Sequence, residues 1–187
     1  MRIKNKKGFT LIEMIVSISI IVMITTIFIA NYRTTEKRTD LIMTAQKLVS
    51  DLHQAQNNTL GLVKYGTDVP PGGWGVYFTT NQKDRYTVFA DLDSSGPGHM
   101  VMDAGEDVIS YGARVAELSN NIEISAVRVG GTVKTSGTIT FLPPDPKTNI
   151  YDGSATSTTM DIELKETRNN TIKTIRVNFL GLIEVID

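Results

Sequence analysis

The chain has no cysteine and only two histidines, His53 and His99, among its 187 residues. Without cysteine it has neither a disulfide framework nor thiolate ligands for a metal ion. Two isolated histidines, and no Gly-x-Ser-x-Gly segment, leave little material for nucleophilic catalysis. The segment Gly72-Gly-Trp-Gly75 lacks the spacing and the lysine of a phosphate-binding loop. These absences disfavour an enzyme.

Positive charge is scarce beyond the first eight residues. The chain has 19 basic and 20 acidic side chains, and four of the basic ones lie in this short leader: Arg2, Lys4, Lys6 and Lys7. Without the leader, 15 basic residues would face 20 acidic ones, a net charge of −5. Sequence-independent nucleic-acid binding relies on clustered lysine and arginine. We therefore expect no nucleic-acid partner.

A long uninterrupted segment follows the leader. Neither proline nor glycine occurs from Phe9 to Leu60, and Glu13 is the single ionisable residue between Phe9 and Ala30. Twenty-two helical residues span about 33 Å, enough to cross the hydrocarbon core of a membrane. A carboxylate in such a helix costs roughly 2.5–3.5 kcal/mol on insertion scales. We therefore expect Glu13 to have a partner charge.

Three interpretations of this N-terminal segment compete. A secretory signal peptide has a shorter apolar core and a small-residue cleavage site, and neither is present here. A plain membrane anchor fits the length, and the positive-inside rule keeps the basic leader cytoplasmic and the remainder outside. A plain anchor, however, explains neither Glu13 nor the Gly8-Phe9 junction. The third interpretation is a helix that also assembles with other subunits.

The residues Lys6-Lys-Gly-Phe-Thr-Leu-Ile-Glu-Met14 resemble the class III signal of type IV prepilins and pseudopilins. The resemblance implies cleavage after Gly8 by a prepilin peptidase and N-methylation of the new Phe9 amine. It also implies that Glu13, in the fifth mature position, neutralises the Phe9 amine of a neighbouring subunit. The implied partners are homologous subunits, the peptidase, an inner-membrane assembly platform and the membrane, with no required cofactor and no small-molecule substrate.

The second half of the segment has a single apolar stripe. Its members recur at helical spacing, at Leu41, Ala45, Leu48, Leu52 and Ala55. One helix of about fifty residues, about 75 Å long, should end at Gly61. The predicted divisions are a leader (1–8), a transmembrane and assembly half (9–30), an amphipathic half (31–60) and a β-rich globular domain (61–187).

Short alternating segments separated by turn residues predict antiparallel strands. Two hairpins are expected, the first from 74–78 and 85–90, the second from 161–165 and 171–177. Further strands are expected at 122–129, 137–142 and 182–186, and a loop at 153–159. Each sheet should have one face packed on the core and one face exposed to solvent. The apolar stripe of the helix should cover the packed face. The predicted fold is α+β: a long N-terminal helix packed on an antiparallel β-sheet domain, as in pilins.

This order is also similar to a narrower group, the H-type minor pseudopilins of type II secretion and the FimT pilins (the GspH/FimT group). The residues that carry the similarity are 45–56, Gly73-Trp-Gly-Val-Tyr-Phe78, Tyr86-Thr-Val-Phe-Ala-Asp-Leu-Asp93 and the final strand after Gly181. The chain departs from the group in two ways. The arginine motif that FimT-type pilins use on DNA is not evident, and the paired C-terminal cysteines of many major pilins are absent.

An acidic segment begins like a calcium loop. Asp91, Asp93 and Ser95 offer oxygen ligands at alternate positions, and Gly96 occupies the sixth place. The twelfth position is methionine, so the EF-hand pattern fails, but Asp103 and Glu106 could close a longer calcium site. The alternative is an ordinary turn-rich loop, since Asp, Ser and Gly favour turns for local reasons.

The sequence therefore predicts a structural subunit of a type IV pilus-like filament or type II secretion pseudopilus. The subunit would begin in the cytoplasmic membrane, with its C-terminal domain outside, and continue into an extracytoplasmic filament. The alternative is a monomeric, membrane-anchored extracytoplasmic binding module, with calcium as its cofactor at Asp91, Asp93, Ser95, Asp103 and Glu106.

Overall fold

The computed structural model describes residues 8–93, 99–103, 105–107, 109, 112–143 and 147–186, with the backbone alone at 30–38. The chain divides into two compact units, Met1–Thr39 and Asp40–Asp187. The first unit contains residues 11–39 of a long helix. The second contains the remainder of that helix and all the described strands.

The helix α1 spans Leu11–Leu60, fifty residues without a break, as the sequence predicts. Its C-terminus is a Schellman motif, in which Val63 N–H donates to Asn58 C=O at 2.8 Å and Leu62 N–H donates to Thr59 C=O at 3.1 Å. The left-handed residue is Leu62, with φ of 49°, rather than the glycine before it. The helix ends where expected, but a leucine takes the position that glycine usually fills.

Eleven strands are described in the second unit, and they form two antiparallel sheets. One sheet has six strands in the order β3-β2-β1-β6-β7-β8, and the other has five in the order β11-β10-β9-β4-β5. Their bounds are β1 Gly73–Thr79, β2 Arg85–Asp91, β3 Arg114–Glu117, β4 Ile122–Val129, β5 Thr132–Lys134, β6 Ser136–Leu142, β7 Lys147–Tyr151, β8 Thr156–Ser157, β9 Thr159–Glu166, β10 Ile172–Asn178 and β11 Ile183–Ile186.

Both predicted hairpins are present, β1 with β2 and β9 with β10, each paired antiparallel. The α+β fold class is confirmed. Four strands were missed: β3, β5, β7 and β8. The predicted loop at 153–159 is wrong in part, because β8 pairs with β7 through Ser157 and Ile150. Two to five residues are too few to show the alternation by which a strand is predicted.

The prediction of one wet face holds for β9, whose residues alternate between buried and half-buried, but fails for β1 and β2. Gly75 explains the difference. A Cβ there would lie 2.9 Å from the Phe89 ring and 2.7 Å from Thr140 Cγ2. The missing side chain therefore lets Phe89 pack across β1, which buries the face of the sheet that alternation predicts to be wet.

The apolar stripe of α1 belongs to the core of the second unit. Its five members are at most 2% exposed. They form one cluster with side chains from both sheets, which include Trp74, Phe78, Phe141, Ile162 and Ile175. At roughly 2 kcal/mol for each buried large aliphatic side chain, this stripe holds residues 41–55 of the helix onto the domain.

Candidate functional site

The first candidate site is the start of α1. Thr10 precedes the helix and forms a capping box with Glu13. The Thr10 N–H and Oγ1–H each donate to Glu13 Oε2 at 2.9 Å, and Glu13 N–H donates to Thr10 Oγ1 at 3.3 Å. The carboxylate that the sequence singled out therefore has two donors from its own chain. The Thr-x-x-Glu spacing signals this cap, and the sequence prediction overlooked it.

The apolar part of α1 is suited to a membrane. Residues Leu11–Ile29 have a mean hydropathy of 2.5, and none of them is buried within the described chain. Its four hydroxyls donate to carbonyls four residues earlier at 2.7–2.9 Å, from Ser17, Ser19, Thr25 and Thr26. These hydrogen bonds satisfy the polar side chains within the helix, so lipid does not have to solvate them. Nineteen residues span about 28 Å, which matches a hydrocarbon core of about 30 Å.

The second candidate site is the acidic loop after β2. Single carboxylate oxygens of Asp91, Asp93 and Glu106 lie within 4.8 Å of one another. Asp91 is fully buried and Glu106 is 2% exposed. Asp103, which was predicted as a ligand, contributes its backbone N–H to Glu106 and does not join the group. Ser95 lies outside the described residues.

The two buried carboxylates already accept main-chain hydrogen bonds. Asp91 accepts from the N–H of Asp93 at 3.0 Å and of Met100 at 2.8 Å. Glu106 accepts from the N–H of Leu92 at 2.8 Å and of Asp103 at 2.7 Å. Four backbone donors are thereby satisfied by two side chains. This arrangement supports the turn-rich alternative, in which the acids shape the loop.

The environment of the loop raises the pKa of both buried acids. Burial raises the pKa of Asp91 above its ordinary value, and the two main-chain donors and His99 oppose the rise. Burial likewise raises the pKa of Glu106, with its own main-chain donors opposing and Asp91 adding to the rise. The His99 Nδ1 lies 3.4 Å from Asp91 Oδ2 and 2.9 Å from the Asp93 carbonyl oxygen. A cation would relieve the repulsion between the carboxylates, and so would a proton.

Two contacts hold the acidic loop after β2 in place, and the sequence does not signal either of them. Gly72 donates its N–H to Asp91 C=O at 3.0 Å, and a Cβ at Gly72 would lie 2.2 Å from the Asp91 carboxyl carbon. Tyr65 donates its hydroxyl to Gly105 C=O. Gly72 therefore leaves the space that the buried carboxylate occupies.

A partly buried polar network joins α1 to the six-stranded sheet. Asp51, 5% exposed, accepts a hydrogen bond from Tyr86 Oη at 2.6 Å. It also forms an ion pair with Arg114. Arg114 also donates to Gln54 Oε1 at 3.0 Å. Burial and then the bond to Asp51 raise the pKa of the Tyr86 phenol, so this hydroxyl stays a donor. The network was not predicted, because its members are far apart in sequence.

A comparison with family models matches one description, the prokaryotic N-terminal methylation motif, over residues 3–29. No curated protein and no solved structure was found to match. The match covers the basic leader and the apolar part of α1 but not the β-rich domain. The similarity to the GspH/FimT group therefore stays a prediction.

Proposed function

We propose that this chain, a type IV pilin-like precursor by its N-terminal methylation motif, is a structural subunit of a pilus-like filament or a type II secretion pseudopilus. Prepilin peptidase cleaves after Gly8, and the new Phe9 amine is methylated. The mature chain then assembles through α1 with homologous subunits on an inner-membrane platform. The observation that carries the proposal is the matched motif, which runs directly into a helix of membrane length.

The chain is membrane-anchored through Leu11–Ile29. Four basic residues precede this helix, and the positive-inside rule then places them in the cytoplasm. The β-rich domain accordingly lies outside the cytoplasmic membrane, where it enters the filament. In this arrangement the first unit of the chain inserts into the membrane and assembles with other subunits. The second unit carries the β-rich domain outside the membrane.

The geometry at Glu13 is compatible with a charge pair between subunits. Both bonds from Thr10 go to Oε2, and Oε1 accepts no hydrogen bond from the described residues. Oε1 therefore keeps its capacity to accept a hydrogen bond from the Phe9 amine of a neighbouring subunit. A buried pair of this kind adds little stability but can fix the register, because leaving either charge unpaired in an apolar interior is costly.

The experiment is mass spectrometry of the N-terminus after expression with a prepilin peptidase. We expect a mature chain that begins at Phe9 and carries one methyl group. The control is Gly8→Val. A Cβ at Gly8 would meet no atom within 4 Å, so this variant should fold normally. It should retain its leader, because the residue before the proposed cleavage site is changed. A wild-type chain that keeps its leader beside an active peptidase would refute the proposal.

The alternative function remains a monomeric, membrane-anchored binding module that uses calcium. The grouping of three carboxylates on the loop after β2 favours it, and extracellular modules bind calcium weakly through such oxygen ligands. The two functions are distinguishable. The alternative predicts an intact leader and a domain whose melting temperature depends on calcium, whereas the filament subunit has its leader removed and does not need calcium.

A further inference from the structure

One exposed side of α1 carries no charge within the second unit. Six exposed residues form this side, at helical spacing: Ile42, Met43, Gln46, Ser50, His53 and Asn57. None of them has a formal charge at pH 7. The solvent side of a surface helix normally carries charged residues opposite its apolar stripe. This side of α1, the uncharged face, is therefore unusual for a surface that only water covers.

The charged side chains of the same helical segment are used elsewhere. Lys47 Nζ donates to the Glu117 carbonyl oxygen at 3.1 Å, and Asp51 forms its ion pair with Arg114. Both partners belong to β3. Lys47 and Asp51 are four residues apart and so lie on one side of the helix. The charges of this segment therefore make contacts within the domain, and the uncharged face is left without them.

The turn between β10 and β11 is exposed and apolar. Phe179, Leu180 and Leu182 are 53%, 73% and 52% exposed, although polar residues and glycine dominate most turns. The turn is held by its own hydrogen bonds. Asn178 Oδ1 accepts from the N–H of Leu180 at 2.9 Å and of Leu182 at 3.1 Å, and Phe179 N–H donates to Thr158 C=O at 2.9 Å. The three apolar side chains are thus presented to solvent by a fixed backbone.

This apolar turn adjoins the uncharged face of α1. His53 Nδ1, on the face, lies 3.4 Å from Gln56 Oε1. Gly181, in the turn, is so close to the same side chain that a Cβ on it would lie 2.8 Å from Gln56 Nε2. The face and the turn therefore form one continuous surface, the uncharged surface. Exposed apolar patches mark interaction sites, and the centres of protein interfaces are depleted in charged residues.

The charge of the chain favours a second copy as the occupant. Without the leader the chain has 15 basic and 20 acidic residues, so two copies carry net charge of the same sign and repel each other. Copies can approach most closely where neither presents a charge. Nucleic acid or a charged peptide finds no complementary charge on the face, and anionic lipid surfaces attract apolar residues that have lysine or arginine beside them.

We propose that the uncharged surface packs against a second copy of this chain. The proposal rests on the proposed function, in which the chain is a filament subunit, and it adds a contact made by the domain itself. Copies of one chain insert into the membrane in the same orientation, and sharing a membrane raises their effective concentration. Because its backbone is already fixed, the apolar turn loses little conformational freedom when it is covered.

The test uses the absence of native cysteine. The variant Ser50→Cys places a single thiol on the uncharged face, and Gln82→Cys places one at an exposed position in the turn between β1 and β2. Membranes that contain the full chain and an active prepilin peptidase are treated with a flexible bismaleimide crosslinker. We expect at least about tenfold more crosslinked dimer from Ser50→Cys than from Gln82→Cys.

Two substitutions of Leu180 identify what covers the surface. Leu180→Glu and Leu180→Lys, each combined with Ser50→Cys, would place a charge in an apolar interface without a partner. Both should reduce the crosslinked dimer to the level of Gln82→Cys. Leu180 is 73% exposed, so the domain should keep its melting temperature. If Leu180→Lys retains the dimer while Leu180→Glu loses it, the surface meets anionic lipid headgroups and the proposal is overturned.

Mass spectrometry of the same membranes separates this proposal from the proposed function. Equal crosslinking of Ser50→Cys and Gln82→Cys, in chains that begin at methylated Phe9, would overturn the contact between copies and leave the filament subunit intact. A chain that keeps its leader beside the active peptidase would refute the filament subunit itself. Dimer that both Leu180 variants retain would also overturn the proposal, because the apolar turn would then have no part in the contact.

Discussion

Replacing Asp51 with alanine should be among the most destabilising polar substitutions in the domain. Tyr86, 2% exposed, would keep a buried hydroxyl without its acceptor, at a cost of about 1–3 kcal/mol. Arg114 would lose an ion pair, but its side chain is 34% exposed, so this loss adds at most about 1 kcal/mol. We expect Asp51→Ala to lower the free energy of unfolding by about 1–4 kcal/mol.

The assay is urea unfolding of the full chain in detergent, followed by the circular dichroism of the β-rich domain. The matched control is Asp84→Ala. Asp84 also pairs with an arginine at 2.7 Å, but its side chain is 64% exposed, so we expect a change below about 0.5 kcal/mol. Equal effects of the two alanine variants would show that burial does not decide the strength of these interactions.

A double-mutant cycle with Tyr86→Phe tests the shared hydrogen bond. Removing the hydroxyl alone should cost about 1.5–3 kcal/mol, because its acceptor is charged. Residues in direct contact are non-additive by about 0.5–3 kcal/mol, so the double variant should be more stable than the sum of the two losses predicts. Strict additivity would refute the inference that Asp51 and Tyr86 depend on each other.

Three further predictions concern the core and the loop after β2. Leu52→Ala should lower the free energy of unfolding by about 2–5 kcal/mol, because Leu52 is fully buried. Met43→Ala is the control: this position is 60% exposed, so the free energy of unfolding should change by less than about 0.5 kcal/mol. Burial raises the pKa of Asp91 and of Glu106 in the folded protein. The stability that these two acids contribute is therefore fully present below their ordinary pKa values. It is lost as pH rises through their raised pKa values in the folded state. Asp91→Asn should therefore weaken the fall in melting temperature that follows as pH rises above the ordinary pKa values, about 4, and an unaltered pH profile would contradict this. If calcium binds at the loop, chelation should lower the melting temperature relative to about 1 mM calcium, and an unchanged melting temperature would exclude the metal.

The helix and the hairpins were predictable because their signals are local. Fifty residues without proline or glycine, and a stripe from Leu41 to Ala55, depend on spacing along one segment. The short strand β3 was not predictable, because its pairing partner β2 lies far earlier in the chain. The strand β5 pairs with the adjacent strand β4, but its three residues are too few to show alternation. The burial of β1 on both faces was equally hidden, since it requires Phe89 to lie against Gly75.

The candidate sites also differ in how far the sequence predicts them, according to whether their signal is local. The Lys6–Met14 segment could be interpreted directly, because the residues of a processing motif are consecutive. The acidic loop was predicted as a set of oxygen ligands. The structure groups Asp91, Asp93 and Glu106 but uses Asp103 as a backbone donor. Composition shows which side chains could bind a cation, but it does not show which carboxylates already accept main-chain hydrogen bonds.

The capping box at Thr10 changes how the role of Glu13 must be tested. Alanine at this position would remove both the charge and the acceptor of two hydrogen bonds. A failure of Glu13→Ala to assemble would therefore not distinguish loss of the cap from loss of the charge pair. Glutamine retains the cap, because it is accepted at the same position of a capping box, but it carries no charge.

We therefore expect Glu13→Gln and Glu13→Ala to insert into the membrane equally well and to be poorly incorporated into filaments. The measurement is the ratio of membrane-bound to sheared filament protein, with Ser19→Ala as a control that removes a hydroxyl bonded within the helix. If Glu13→Gln assembles like the wild type while Glu13→Ala does not, the carboxylate acts through the cap on its own chain. The charge pair between subunits would then be refuted, because an uncharged amide cannot neutralise the amine of a neighbour within an apolar interior.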